Sequence, residues 1–108
     1  MRPLYHPTVE EVSVQAILYA LSDPDRVRIF VELMGSECAK NCSAFQNINK
    51  TPLPKSTLCQ HIKILREAGL IRSVRKGVEL KNEPRCADLQ KKFGPMITEI
   101  LRAYQNES

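Results

Sequence analysis

Residues 54–70 read PKSTLCQHIKILREAGL, the pattern of an amphipathic helix with a marked beginning and end. At about 100° per residue, Leu58, Ile62 and Leu65 fall on one side of such a helix, which predicts a buried face. The proline at its start suits a first helical turn, and the glycine near its end suits a helix terminus. The pattern therefore predicts a helix over residues 54–69.

The opposite side of this helix is polar, but it lacks the usual coat of Lys and Glu. Uncharged donors and acceptors of this kind can read base edges in a DNA groove, while lysines contact phosphates. An ordinary solvated helix would show the same periodicity, and His61, between the two faces, could equally pack its ring against the core. The candidate contacts to DNA on this helix are Lys55, Ser56, Thr57, Gln60, His61 and Lys63.

The next segment predicts a β-hairpin with a basic tip. Residues 70–81, LIRSVRKGVELK, contain two strand-like runs joined around Arg75, Lys76 and Gly77. A polar helix followed by a basic hairpin favours a winged helix, in which residues 71–82 form the wing and its cations contact the phosphate backbone. Arg75 and Lys76 are the candidate wing contacts.

With these parts in this order, the chain resembles the ArsR/SmtB family of bacterial winged-helix repressors over about residues 10–104. The resemblance implies a winged helix-turn-helix, sequence-specific binding to duplex DNA and a homodimer. The matching segments are LSDPDRVRI at 21–29, Ser56-Thr57-Leu58 through His61, LREAGL at 65–70 and the hairpin.

Two features depart from the family pattern. Cys38 and Cys42 lie near the position of a family Cys-x-Cys metal signature, but they are spaced four apart, and residues 84–108 contain no histidine for the family's other metal site. The pair leaves three readings open: a thiol redox sensor, a metal or metalloid site, or structural residues. A metal would need further ligands, for which Cys59, Cys86 and His6 are the candidates.

The remaining chain predicts further helices around a single domain of residues 1–108. Asp23 followed by proline is a strong helix start, and Gly94-Pro95 should interrupt the last helix. The expected elements are an irregular arm at 1–7, helices at 8–21, at 24–34 ended by Gly35, at about 43–48 and at 84–105, in addition to the helix at 54–69 and the wing.

The first and last helices predict a dimer. Apolar residues cover more than one side of residues 8–21, and residues 84–105 would add an apolar helix to a finished winged helix. A two-fold dimer through these two helices would bury both surfaces. Two recognition helices related by this symmetry would match an inverted repeat with half-sites about one DNA turn apart.

Composition excludes several function classes. Lys plus Arg exceed Asp plus Glu by 16 − 12 = 4 among 108 residues, a modest excess compatible with a nucleic-acid partner. No segment is apolar enough for a membrane span or a signal peptide, so we expect a cytosolic protein with reduced thiols. With no Gly-rich phosphate loop, no His-Glu-x-x-His and only two histidines, catalysis is not expected, and no cofactor is predicted apart from the open metal reading.

The sequence as a whole predicts a mainly α (α+β) fold, a winged helix-turn-helix with one β-hairpin wing that dimerises through its terminal helices. The expected function is a homodimeric, sequence-specific transcriptional repressor released by an effector, with thiol oxidation as one candidate trigger. One alternative is a metal- or metalloid-responsive repressor that uses Cys38 and Cys42. Another, of a different class, is a winged-helix module that binds proteins and no specific DNA.

Overall fold

Helices surround a small antiparallel sheet in the computed structural model, which describes residues 4–34, 40–41 and 54–107. Its elements, in chain order, are a 3₁₀ turn Val9–Glu11, α1 Val14–Ala20, α2 Pro24–Met34, β1 Lys40–Asn41, α3 Lys55–Glu67, β2 Ile71–Lys76, β3 Glu79–Pro84, α4 Cys86–Phe93 and α5 Met96–Glu107. The predicted mainly helical fold with a hairpin is confirmed. The predicted helix near residues 43–48 and the predicted role of Gly35 lie outside the described residues.

The predicted bounds of α2, 24–34, are confirmed, whereas α3 begins one residue and ends two residues inside the predicted 54–69. Both helices carry local start signals. Oδ1 of Asp23 accepts hydrogen bonds from the backbone N–H groups of Asp25, at 2.8 Å, and Arg26, at 3.4 Å, which caps α2 at Pro24. Pro54 occupies the position before the first residue of α3. Helix ends that are marked by neighbouring residues can be predicted from the sequence alone.

The predicted helix at residues 8–21 is wrong in its extent, since the structure divides it. A 3₁₀ turn at Val9–Glu11 is followed by an extended Val12, and α1 begins only after Ser13, whose hydroxyl accepts from the backbone N–H of Ala16 at 3.1 Å. The carbonyls that a continuous helix would use internally are taken by a distant cation. Lys92 Nζ donates to the carbonyls of Val9, at 2.9 Å, and Val12, at 2.6 Å.

The wing extends further than predicted. β2 and β3 pair in antiparallel register from Ile71 opposite Pro84 to Lys76 opposite Glu79, so the second strand ends at Pro84 instead of residue 82. The last helical region cannot begin at Pro84 because residues 82–84 are held in this ladder, and α4 starts at Cys86. The short strand β1 adds to the far side of β3, which gives the strand order β1-β3-β2.

The predicted interruption at Gly94-Pro95 is confirmed, and it separates α4 from α5. Gly94 has a positive φ of 62°, a conformation that favours glycine. The side chains of Ile97 and Leu101 then return to the core with 5% and 6% exposure. None of the helices within the described ranges is long and apolar enough to span a membrane.

Residues 4–7 of the N-terminal arm are irregular, as predicted, but residues 4–12 are docked on the winged helix. The ring of His6 accepts at Nε2 from the backbone N–H of Ser73 on the edge strand β2, at 3.0 Å, and Nδ1 lies 3.2 Å from the Leu4 carbonyl. The Pro7 carbonyl accepts from Arg85 at 2.8 Å. These contacts cover part of the strand edge that would otherwise be open to pairing.

Gly69 allows this docking, and its replacement is a direct test. Its φ is +88°, and a Cβ on it would meet Cγ2 of Val12 at 2.4 Å, whereas a Cβ on Gly77, with φ +63°, would meet nothing within 4 Å. Gly77→Ala should therefore cost only about 1 kcal/mol of backbone strain, and Gly69→Ala about 1–3 kcal/mol more because of the overlap. Urea denaturation of the two variants measures this difference, and equal losses would contradict the packing described for the arm.

Protonation of His6 should undock the arm. Burial is the main cause that lowers the pKa of His6 below its ordinary value of 6.5, and Arg66, Arg72 and Arg85 lower it further, against the Leu4 carbonyl. Because the neutral ring is the acceptor, the stabilisation is complete above pH 6.5 and is lost as the pH falls through the lower pKa of the folded state.

The stability of the wild-type protein should accordingly fall more steeply below pH 6.5 than that of His6→Gln, whose amide can accept the same bond without titrating. The melting temperatures of the two proteins between pH 7.5 and 5 give this comparison. Because all other titrating groups are common to both proteins, the difference between the curves reports on His6 alone. Parallel curves would show that His6 does not hold the arm.

Candidate nucleic-acid interface

One side of α3 is fixed in the core. Leu58, Ile62 and Leu65 are 0%, 1% and 0% exposed, and each such burial contributes about 1.5–3 kcal/mol. The spacing of these residues leaves the opposite side of the helix in solvent. The apolar residues therefore set the orientation of α3, and this orientation places its polar side chains in solvent.

The exposed face of α3 brings together most of the predicted contacts. Ser56, Gln60 and Lys63 lie on the arc of the helix turned away from Leu58 and Leu65, Lys55 is exposed in the first turn, and Thr57 lies half-buried at the flank. Cations of this kind hold phosphates, and the uncharged groups can donate to or accept from base edges. The exposed side chains are Lys55, Ser56, Cys59, Gln60, Lys63 and Glu67.

His61 lies apart from this face. Its side chain is buried, with the residue only 8% exposed, and Nδ1 lies 3.4 Å from Nη1 of Arg26. Of the two readings that the sequence left open, this position favours the packed ring over the base contact. The flank of a helix is where periodicity alone does not distinguish the two.

The wing supplies further positive charge beside the helix. Arg75 and Arg72 are exposed on β2, while the side chain of Lys76 lies outside the described residues. At the turn after Gly77, Val78 is fully exposed. Exposed arginines on a hairpin that follows a polar helix suit contact with a phosphate backbone.

A buried polar network joins α3 to the wing. Nη1 of Arg66 donates to Oγ of Ser73 at 3.2 Å, and this hydroxyl donates to Oδ1 of Asn82 at 2.7 Å. All three residues are at most 9% exposed, and they belong to α3, β2 and β3. Because a buried polar group without a partner is costly, this network specifies how the wing sits against the helix.

Among the described residues, no group of candidate ligands suits a metal ion. Asp23, Asp25 and His61 offer ligand atoms within 4.8 Å of one another. The Arg26 guanidinium, however, is 3.4 Å from His61 Nδ1 and 3.9 Å from Asp23 Oδ2, and its fixed positive charge opposes a second cation there. Cys38 and Cys42 lie outside the described residues, and Cys59 and Cys86 are exposed free thiols.

Two residues of this region were not predicted from the sequence. Arg26 and Arg66 are buried cations, and the available signal was their spacing, since Arg26 is three residues before Ile29 and Arg66 four after Ile62 on the core-facing stripes. Cys59, which lies four residues from both Lys55 and Lys63 on the same helix, is exposed.

A model of a protein family described as "Bacterial regulatory protein, arsR family" matches residues 16–73, which is more than half of the chain. The chain belongs to this family. It is therefore an ArsR-family, DNA-binding transcriptional regulator, and the resemblance seen in its sequence is confirmed. The matched segment contains most of α1, the whole of α2 and α3, and the start of the wing.

Solved structures of similar shape support the same fold for this ArsR-family chain. An ArsR-like transcriptional regulator from Rhodococcus sp. RHA1 is 24% identical, with a TM-score of 0.60 over 86% of this chain and 83% of that one. Rv0081 of M. tuberculosis is 18% identical, with a TM-score of 0.62 over 94% and 97%. No curated protein matches the sequence.

Proposed function

We propose that the protein is a homodimeric repressor that binds an inverted-repeat operator through α3 and the wing and is released by an effector. The observation that carries this proposal is the exposed polar face of α3, where Lys55, Ser56, Gln60 and Lys63 stand on a helix whose other side is fixed in the core. A rigid helix with uncharged donors flanked by cations can enter the major groove without reorganising.

The side chains divide into two roles. Ser56 and Gln60 contact base edges, with Thr57 at the flank, because hydroxyl and amide groups discriminate between bases. The second role is contact with phosphate, which fixes the register of the helix and the wing on the duplex. The proposed phosphate contacts are Lys55, Lys63, Arg75 and Lys76. His61 is left out of both roles because its side chain is buried.

The proposed dimer is a second copy packed on the outer side of α1. Val14, Leu18 and Tyr19 are 43%, 53% and 62% exposed, so this short helix presents apolar side chains to solvent. The hydroxyl of Tyr104 on α5 donates to the Leu21 carbonyl, which places α5 beside the end of α1. Two-fold pairing of this surface would bury it and would present two copies of α3 to DNA.

For the effector we propose thiol oxidation at Cys38 and Cys42, with a soft metal or metalloid on the same thiols as the alternative. The supporting observations are the four-residue spacing of the pair, with Lys40 between them, and the pairing of Lys40 and Asn41 with β3 of the wing. A covalent change next to β1 would act on the strand that pairs with β3. An effector releases DNA only by favouring the dimer geometry that does not bind it.

Gln60→Ala tests the DNA-reading role of α3. On a duplex selected by the wild-type protein from a random library, the variant should lose about 1–3 kcal/mol of binding free energy, and less on a random duplex, because only the selected site offers the base that Gln60 reads. Fluorescence anisotropy at several salt concentrations gives both values. Gln90→Ala, exposed on α4, is the matched control and should change neither.

Equal losses on the two duplexes would remove Gln60 from base reading. The salt series tests the wider proposal, since the logarithm of the binding constant should fall with a slope of about −0.9 per phosphate neutralised. Failure to select any duplex, together with a flat salt response, would favour a protein-binding winged helix.

The effector is tested by oxidation. Reduced protein should bind the selected duplex, and protein treated with a thiol oxidant should lose affinity and regain it on reduction. The double variant Cys38→Ser/Cys42→Ser should bind equally before and after treatment, while Cys86→Ser should behave as wild type. Loss of binding in the double variant on oxidation would assign the effect to another thiol, with Cys59 the first to replace.

A further inference from the structure

Arg26 is a charged side chain on the buried side of α2, with only 7% of the residue exposed. Its donors are used at the end of α1, where Nε donates to the Ala20 carbonyl at 2.7 Å and Nη2 to the Tyr19 carbonyl at 3.2 Å. Carbonyls in the last turn of a helix lack partners within that helix. The guanidinium donates to both, and it shares the Tyr19 carbonyl with the hydroxyl of Ser22, which donates to it at 2.6 Å. The guanidinium also lies 5.3 Å from the centre of the Tyr19 ring, a cation–π distance.

The third nitrogen of the Arg26 guanidinium, Nη1, reaches the recognition helix. Nη1 lies 3.4 Å from Nδ1 of His61. A guanidinium has no acceptor, so Nδ1 must accept, which places the ring hydrogen on Nε2. His61 is in the middle of α3, on the side away from Ser56 and Gln60. One side chain of α2 therefore connects the end of α1 with the back of α3.

The same end of α1 is also attached to α5, which with α1 was predicted from the sequence to form the dimer contact. The Tyr104 hydroxyl donates to the Leu21 carbonyl, the next carbonyl after the two that Arg26 holds. In the proposed dimer, α1 and α5 form the contact between copies, and α3 is the helix that reads DNA. The angle between α1 and α3 then determines how far apart, and in what direction, the two copies of α3 point.

We propose that Arg26 and His61 are positioning residues that fix the angle of α3 to the end of α1 and thereby set the half-site spacing that the dimer accepts. This inference rests on the proposed function. Neither residue contacts DNA. Arg26 acts through the carbonyls of Tyr19 and Ala20 on one side and through His61 on the other. The hydrogen bonds at this joint thereby determine which half-site spacing the dimer prefers, although neither side chain touches the duplex.

Three variants test this role with different chemistry at the joint. Arg26→Lys keeps the charge but replaces the planar guanidinium with an ammonium group. An ammonium cannot donate to two carbonyls and a ring nitrogen in the same planar geometry. His61→Leu fills a similar space without an acceptor, whereas His61→Gln retains one. Arg28→Lys is the matched control, since Arg28 is on the same helix, 57% exposed, and pairs with Asp25 at 3.6 Å.

The probes are duplexes that carry the half-site selected by the wild-type protein as an inverted repeat, with the spacing lengthened or shortened by two base pairs. Wild type and Arg28→Lys should prefer the selected spacing by about tenfold or more. Arg26→Lys and His61→Leu should reduce this preference to about threefold or less, and His61→Gln should retain most of it. Binding of all variants to random duplex should change by no more than about twofold, because the phosphate contacts are intact.

An unchanged spacing preference in Arg26→Lys and His61→Leu would overturn the inference. So would a loss of affinity shared equally by all duplexes, because a merely structural role predicts that result. Thermal unfolding identifies variants that fail to fold, and if Arg26→Lys is among them, the comparison of His61→Leu with His61→Gln decides. If the wild-type protein itself selects no duplex, the proposed function fails and the inference falls with it, an outcome distinct from selective binding without any effect of the variants.

Discussion

Leu58, Ile62 and Leu65 bury one side of α3 in the core, and this contact determines which side chains of the helix remain in solvent. A rotation of the helix by one residue would expose an apolar side chain and bury a lysine, at a cost of several kcal/mol. Ser56, Gln60 and Lys63 are therefore held outward by the packing behind them. The exposed face of α3 is thus positioned by the buried face and not by contacts among its own side chains.

Buried polar side chains add directional constraints that apolar packing does not supply. Arg66, Ser73 and Asn82 connect α3 to both strands of the wing, and Arg26 connects α3 to the end of α1. A hydrogen bond fails when its geometry is wrong, whereas an apolar contact can slide. The orientation of the recognition helix relative to the wing and to α1 thus depends on two arginines that carry their charge into the core.

The sequence predicts the parts of the fold that are marked by neighbouring residues. Asp23 and Pro24 mark the start of α2, Pro54 marks the start of α3, and the glycine of the turn marks the hairpin. It does not predict features that depend on distant partners. Lys92, some 80 residues away, takes the carbonyls that would have continued the first helix, and pairing with β2 keeps residues 82–84 out of α4. Periodicity also left the position of His61 open, and the structure places its ring, buried, beside Arg26 of another helix.

The central claim is that the exposed face of α3 contacts DNA, and two native cysteines test it directly. Cys59 lies on that face and Cys86 at the start of α4, and both are exposed. The measurement is the rate at which each thiol is alkylated, read by peptide mass spectrometry, with and without a saturating amount of the selected duplex. The duplex should slow the alkylation of Cys59 by about tenfold or more, because a helix seated in the major groove shields its outer face. The alkylation rate of Cys86 should change by no more than about twofold. Equal rates for Cys59 in free and bound protein would contradict the account.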